Sequence, residues 1–344
     1  MPRARPWRFT LDWAAQNGNL PEALEELECG LRLSHDVRQR GSTVAQLLAG
    51  KFEKLCLERV ALALLSDSQA TVEDCDRVLA LIERYDCPTA DCLVWAMQSE
   101  YLNSRAAIVG IQHGGGEFEP GVMEDKFGAM MGSRPDSVGQ VIAVLCSVTG
   151  GPAREATDVN ARLDARQDSD FERELALLNE VYQQVAASAS QPYVERAKVH
   201  SDIRFSLQQE EAYLLEVFLA SAFPSVNDHL TRQRAQTEAT RLLAAIRRWQ
   251  LQEGKNSPLP GDLELVAKAA GLDGVPRDPF GEGPLKLVPE SNSIKVYSVG
   301  FDQVDQSGKD RALSVSRPGD LVFELRGGWR AGCAGATSTS PNID

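Results

Sequence analysis

Asp302, Asp305, Ser307 and Asp310 lie within "VGFDQVDQSGKD", residues 299–310, and put three carboxylates, a hydroxyl and the backbone carbonyls within reach of one loop. Calcium asks for that chemistry, taking about six to eight hard oxygens. The spacing is not that of a helix–loop–helix calcium site. Asp, Ser and Gly also build solvated turns through their own local hydrogen bonds, so a metal loop and an acidic turn are both open readings.

Other residue types that could do chemistry are sparser. Cys87 and Cys92 in "DCPTADC" have the closeness of a zinc half-site or a small disulfide loop, but no second Cys pair or His-x3-His supplies four ligands. Structural thiols are expected there. Seven cysteines is an odd number, and Cys29, Cys56, Cys75 and Cys146 fall in helical, apolar-periodic stretches where a thiol acts as a small buried hydrophobe. The imidazoles are His35, His113, His200 and His229, and no Gly-x-Ser-x-Gly nucleophile motif accompanies them. His229 in "NDHLTRQR" reads as a helix-surface residue. The triple glycine of "HGGGEFEPGV" lacks the Gly-Lys-Ser/Thr that a phosphate loop requires and reads as a linker.

Composition narrows the classes. The 344 residues are 43% hydrophobic and 25% charged, an ordinary globular balance. The net charge is −13 and no long basic block is present, so no nucleic-acid partner is expected. The apolar runs "VALALL" and "VIAVLC" fall short of the roughly 20 residues of a membrane span. Asp12 and "AAQNGN" follow the basic start where an export signal would need apolar residues, so the chain as written is expected to carry none.

The elements that must position these groups are helices up to about residue 253. In "GNLPEALEELECGLRL" Asn19 is placed to cap, Pro21 sits in the first turn, and Leu24, Leu27 and Leu31 form one stripe. Leu48, Phe52 and Leu55 read as the apolar face of the next helix. Thr71 and Asp74 have capping-box spacing ahead of Val72, Cys75, Leu79 and Ile82. Phe171, Leu175, Leu178, Tyr182 and Val185 alternate four and three apart, as in a helical seam. The most apolar stretch, residues 208–223, is expected near the centre of a bundle and to end at Pro224. A long helix from Ser225 follows, with Leu242, Ile246 and Trp249 on one stripe and Gly254 as its stop.

After Gly254 the period changes. A Pro-containing loop and short helix lead to "DPFG", and then "LKLV", "IKVYSV" and "DLVFEL" alternate as strands with one covered face. Leu285 and Leu287 are expected to pair against Ile294 and Val296 on the covered face, and the hairpin to lie against the long helix with Trp249 or Ile246 packed on the sheet.

That order resembles the soluble part of the type II secretion major pseudopilins, over about residues 231–326. The family carries an Asp-Pro-aromatic-Gly turn, here Asp278 to Gly281, and a Ser-Xaa-Gly-Xaa-Asp turn, here Ser298 to Asp302, in the same order. It has Gly after that last Asp, where this chain has Gln303. A pseudopilin also begins with a cleavable leader and an apolar helix, whereas here the segment follows more than two hundred helical residues. The resemblance implies a Ca2+ site with the carbonyl of Val299 and the carboxylates of Asp302 and Asp310 as ligands, and it implies a place in the bacterial cell envelope or periplasm.

The fold class expected is mainly α: an antiparallel, repeat-like bundle of helical hairpins, then a small α+β pseudopilin-like module with a short antiparallel sheet on a long helix. The divisions expected are helical hairpins at 1–112, a Gly/Pro-rich linker at 113–135, a second helical segment at 136–230, the module at 231–326 and a tail at 327–344. The function expected is non-catalytic: a structural or protein-interaction protein with a protein partner, in the envelope or a secretion assembly. The alternative is a hydrolase-like enzyme whose site is assembled from residues distant in sequence.

Overall fold

The computed structural model describes residues 19–39, 41–113, 161–162, 165–210, 212, 214–215, 222–253, 262–290, 293–309, 312–314 and 317–326. The chain is mainly helical, with a small three-stranded antiparallel sheet near its C-terminal end. It divides into two compact units. One draws on the described parts of Met1–Val37, Leu48–Cys87 and Thr231–Asp344, the other on those of Arg38–Leu47 and Pro88–Leu230.

In the first unit, α1 (Leu20–Arg38) buries Leu24, Leu27 and Leu31, the stripe its spacing predicts. The Ser34 hydroxyl donates to the carbonyl of Ala49 at 2.9 Å. That close approach is made on the small Ala49 of α2 (Thr43–Leu55), whereas Leu48 is 45% exposed. Of the face expected, Leu48 is turned outward while Phe52 and Leu55 are half-buried, because a small residue lets the helix backbones meet where a leucine would hold them apart.

A π-helical segment, Cys56–Ala61, leads into α3 (Leu62–Ser66). Cys56, Val60 and Leu64, and beside them Leu57, Ala61 and Leu65, recur every four residues, and all are buried. In an α-helix a four-residue step drifts by about 40°. A wider turn removes that drift and keeps both rows facing the core.

α4 (Val72–Arg84) opens with the expected capping box: Asp74 N–H donates to the Thr71 hydroxyl at 3.2 Å, and Thr71 N–H donates to the Asp74 carboxylate at 2.9 Å. Cys75, Leu79 and Ile82 are buried as predicted, with Val78 and Leu81 beside them. α4 is tied to α1 by Tyr85 and Arg84, which both donate to Glu28 at 3.3 Å.

In the second unit, α5 (Thr89–Gln112) packs along α6 (Asp168–Ser188), with the rings of Tyr101 and Tyr182 5.3 Å apart. The buried seam of α6 is Phe171, Glu174, Leu178, Val181, Val185 and Ser188, so Leu175 and Tyr182 flank it instead of lying in it. Glu174, 1% exposed, takes the place an apolar residue would fill. Its carboxylate accepts from Arg166 at 2.5 Å and from the backbone N–H groups of Leu214 and Leu215 at 3.2 Å. Burial pushes the Glu174 carboxyl above the ordinary carboxylate range, and Arg166 opposes that.

α7 (Tyr193–Gln209) packs on α6 and ends at Gln209, inside the stretch read as one apolar helix. Glu210 is already a turn residue, Leu214 and Leu215 are helical again and fully buried, and α8 (Ala222–Glu253) begins two residues before Pro224. Proline is tolerated in that first turn, where its missing N–H would have no helical acceptor.

Leu242 and Ile246 of α8 are fully buried and Trp249 is half-buried. The larger departure is polar: Thr231, Gln233, Gln236, Thr237, Thr240, Arg247 and Gln250 of α8 are buried as well. Arg234 donates to both oxygens of Asp86 at 2.7 Å and pairs with Glu238 at 2.5 Å. The Thr237 hydroxyl donates to Glu53 at 2.7 Å, and Arg247 reaches the Asp67 carbonyl at 3.0 Å.

The C-terminal segment begins with α9 (Leu263–Ala269), capped by Asp262, which accepts the Glu264 N–H at 2.9 Å. Strands β1 (Lys286–Pro289), β2 (Ser293–Ser298) and β5 (Leu321–Arg326) form one antiparallel sheet in the order β1-β2-β5. A two-stranded ribbon, β3 (Ala312–Ser314) with β4 (Arg317–Pro318), precedes β5 and was not foreseen from the sequence. Leu287 pairs with Val296, Val296 with Phe323, and Ile294 with Leu325, which lines one sheet face with apolar side chains. The expectation for Leu285 is corrected: it lies before β1, and Ile294 takes Pro289 as its partner on that strand, because the hairpin loop sets the register two residues further on. β5 also packs beside α3. α8 meets this segment where the Arg232 guanidinium lies 4.9 Å from the Phe301 ring centre and where Arg248 donates to the Ala269 carbonyl at 2.9 Å.

Candidate functional site

Two turns at the end of β2 form the most interconnected polar site of the C-terminal segment. In the first, Asp278 donates its N–H to the Gly283 carbonyl at 2.9 Å, and Gly281 N–H donates back to the Asp278 carbonyl at 3.2 Å. Pro279 suits this turn because its ring presets the backbone. A side chain at position 281 would stand 3.3 Å from Val299 and 3.4 Å from the Asp278 carboxylate, so Gly281 allows the two turns to approach.

The Asp278 carboxylate, in a residue only 4% exposed, joins the turns. One oxygen accepts from the Phe280 N–H at 2.9 Å and the Ser298 hydroxyl at 2.6 Å, and the other accepts from the Val299 N–H at 2.8 Å. Ser298, fully buried, accepts in turn from the Gly300 N–H at 3.2 Å. Phe280 and Phe301, one from each turn, stack edge to face at 4.8 Å. A serine hydroxyl against a carboxylate is a catalytic pairing in other settings. Here both groups are buried and spent on backbone N–H groups, so the pair acts as a clasp.

The aspartate-rich loop then covers the second face of the sheet. Asp302 accepts from the Val304 N–H at 3.1 Å and the Gln306 amide at 2.8 Å. Asp305 accepts from the Ser307 N–H at 2.9 Å, the Tyr297 hydroxyl at 3.1 Å and the Lys286 ammonium at 2.5 Å. The Lys286 contact holds the Asp305 carboxyl below its usual range, while burial, then Asp305, pushes the Tyr297 hydroxyl up to about 12. Asp320, 1% exposed, accepts from the Gln306 N–H at 3.1 Å and the Gly308 N–H at 2.7 Å. Gly300, Gln303, Ser307 and Gly308 all have positive φ. For Gln303, at 56°, and Ser307, at 59°, that conformation costs about 1–2 kcal/mol relative to glycine's freedom.

The ligands that the family resemblance implies are placed as follows. Asp302 is exposed at the loop surface, and each of its oxygens keeps a lone pair beyond the neutral donor it accepts. Hard, exposed oxygens of this kind suit calcium. Val299 precedes the loop, its N–H held by Asp278. Asp310 lies outside the described residues. No cluster of three metal-binding side chains occurs among the described residues.

The structure separates the remaining candidates. Cys56 and Cys75 are buried as predicted, and burial pushes both thiols up to about 12. Cys29 is exposed, a correction: two residues past Leu27 and two before Leu31, it lies on the side of α1 facing away from the buried stripe. Cys92 is buried, and its sulfur accepts from the Arg38 guanidinium at 3.6 Å. Cys87 is half-buried. His229 is half-buried on α8. Cys146, the "HGGGEFEPGV" stretch beyond His113 and the tail after Arg326 lie outside the described residues.

Sequence reasoning found the two turns, but it missed Asp320 and the second face. Asp320 serves groups twelve and fourteen positions earlier, a separation that no local pattern displays. No family model matches the chain, and neither a curated protein nor a solved structure matches it. No described helix is long and apolar enough to cross a membrane.

Proposed function

We propose that this chain is a non-catalytic protein-interaction protein whose C-terminal segment, about residues 231–326, is a pseudopilin-like module serving a bacterial envelope or secretion assembly. The observation that carries the reading is the Asp278 clasp. It gives the Asp-Pro-aromatic-Gly turn and the Ser-Xaa-Gly-Xaa-Asp turn one shared purpose, which accounts for their joint presence. A second observation supports it: Gln303 has a backbone φ of 56° at the position where the family carries glycine.

The burial of Ser298 and Asp278 argues against hydrolase chemistry at this pair, since a nucleophile has to meet a substrate. What the clasp presents outward is a loop braced at both ends, with Asp302 and the 56% exposed Val304 at its surface. A braced loop binds a partner at a low ordering cost. Calcium at the Val299 carbonyl, Asp302 and Asp310 belongs to the same proposal and would brace the loop further.

The test is fractionation of the native cell, with site-specific photo-crosslinking from position 304. Recovery in the envelope fraction, with a crosslink to an envelope protein that Asp278→Ala abolishes, is the expected result. Recovery in the cytosol alone, or crosslinking indifferent to the loss of the clasp, overturns the proposal.

A further inference from the structure

The inward face of α7 is Tyr193, Arg196, His200, Ile203 and Leu207, all buried. On the opposite side Val194 is 42% exposed and Phe205 64% exposed, with Lys198 and Asp202 exposed between them. Steps of four, four and three residues keep these side chains within an arc of about 80° on one helix face. Along the chain the stripe reads apolar, basic, acidic, apolar. Read backwards it is the same stripe with the charges exchanged.

We propose that this stripe is a self-association surface whose partner is a second copy of this chain. Set antiparallel about a two-fold axis near Val199 and His200, Val194 of one copy meets Phe205 of the other. Lys198 meets Asp202, and every contact occurs twice, as an isologous interface requires. Phe205 is the anchor, since a solvent-facing phenylalanine gains most from burial. The paired charges fix the antiparallel register and contribute little energy of their own. One helix stripe falls below the roughly 800 Å² per partner of a standard interface, so the dimer dissociates on dilution. The inference does not depend on the function proposed for the C-terminal segment.

Sedimentation velocity of the full chain across the micromolar range tests it. The expected result is a concentration-dependent monomer–dimer equilibrium that Phe205→Ser abolishes. Lys198→Asp alone should weaken the dimer by about tenfold or more, through like charges brought together twice. Combining Lys198→Asp with Asp202→Lys should restore it. All these positions are exposed, and unchanged melting confirms that each variant folds. A wild-type chain that stays monomeric throughout, association unaffected by Phe205→Ser, or a double exchange no better than the single one overturns the proposal.

Discussion

The carboxylate of Asp278 holds the backbone N–H of Val299 at 2.8 Å, across twenty-one positions of chain. Removing it leaves that N–H and the Ser298 hydroxyl buried without an acceptor. Asp278→Ala is therefore expected to cost about 2–4 kcal/mol of stability. Asp278→Asn keeps one oxygen but turns an N–H donor towards Val299, and should cost about 1–3 kcal/mol. Urea unfolding of the two variants measures both losses, and a wild-type midpoint in either would show that the clasp carries no load.

Gln303 lies in the left-handed region, where glycine is unstrained. Gln303→Gly is expected to raise stability by about 0.5–1 kcal/mol, the strain relieved outweighing the entropy glycine adds to the unfolded chain. Thermal melting would register this as a higher midpoint. A lower midpoint would mean that the loop relaxes at Gln303 in solution.

His200 is 4% exposed, and burial, with Arg196 one turn away, lowers its pKa from 6.5 to about 4. The folded state therefore holds the neutral imidazole, while the unfolded chain takes up a proton near pH 6.5. Stability from this group is complete above pH 6.5 and drains away as the pH falls towards 4, by about 3 kcal/mol in all. His200→Gln should flatten that part of the pH–stability curve. An equally steep curve in the variant would place the acid sensitivity elsewhere.

Calcium should raise the melting midpoint of the full chain if Val299, Asp302 and Asp310 hold it. At a concentration one hundred times the dissociation constant the gain is about 2.7 kcal/mol. Asp302→Asn should remove most of the shift while leaving the midpoint without calcium close to wild type, since a side-chain amide oxygen can still accept the Val304 N–H. No shift at millimolar calcium would leave the loop braced by its own hydrogen bonds alone.

Local rules carried the sequence reading where both partners of an interaction lie within one or two turns. The Thr71–Asp74 capping box and the Leu24–Leu27–Leu31 stripe are of this kind, and both are present. The reading slipped where a polar side chain found a distant acceptor or donor. On α6 the seam turns by one residue to bury Glu174, because the N–H groups of Leu214 and Leu215, forty positions on, need its carboxylate. A hydrophobic pattern assigns Leu175 to that seam, since burial of an acid is costly until its partners are known.

From the sequence alone followed the helical body, the change to alternation after Gly254 and the two turns, one before β1 and one after β2, because period, caps and turn residues act over a few positions. Only the tertiary structure decided that the polar helix α8 is buried and that Asp278 fastens one turn to the other. It also decided that β5 packs beside α3. The partners of α8 lie far off along the chain, Asp86 at 148 positions from Arg234 and Glu53 at 184 from Thr237. Burying such a helix is favourable only once those partners have been brought to it.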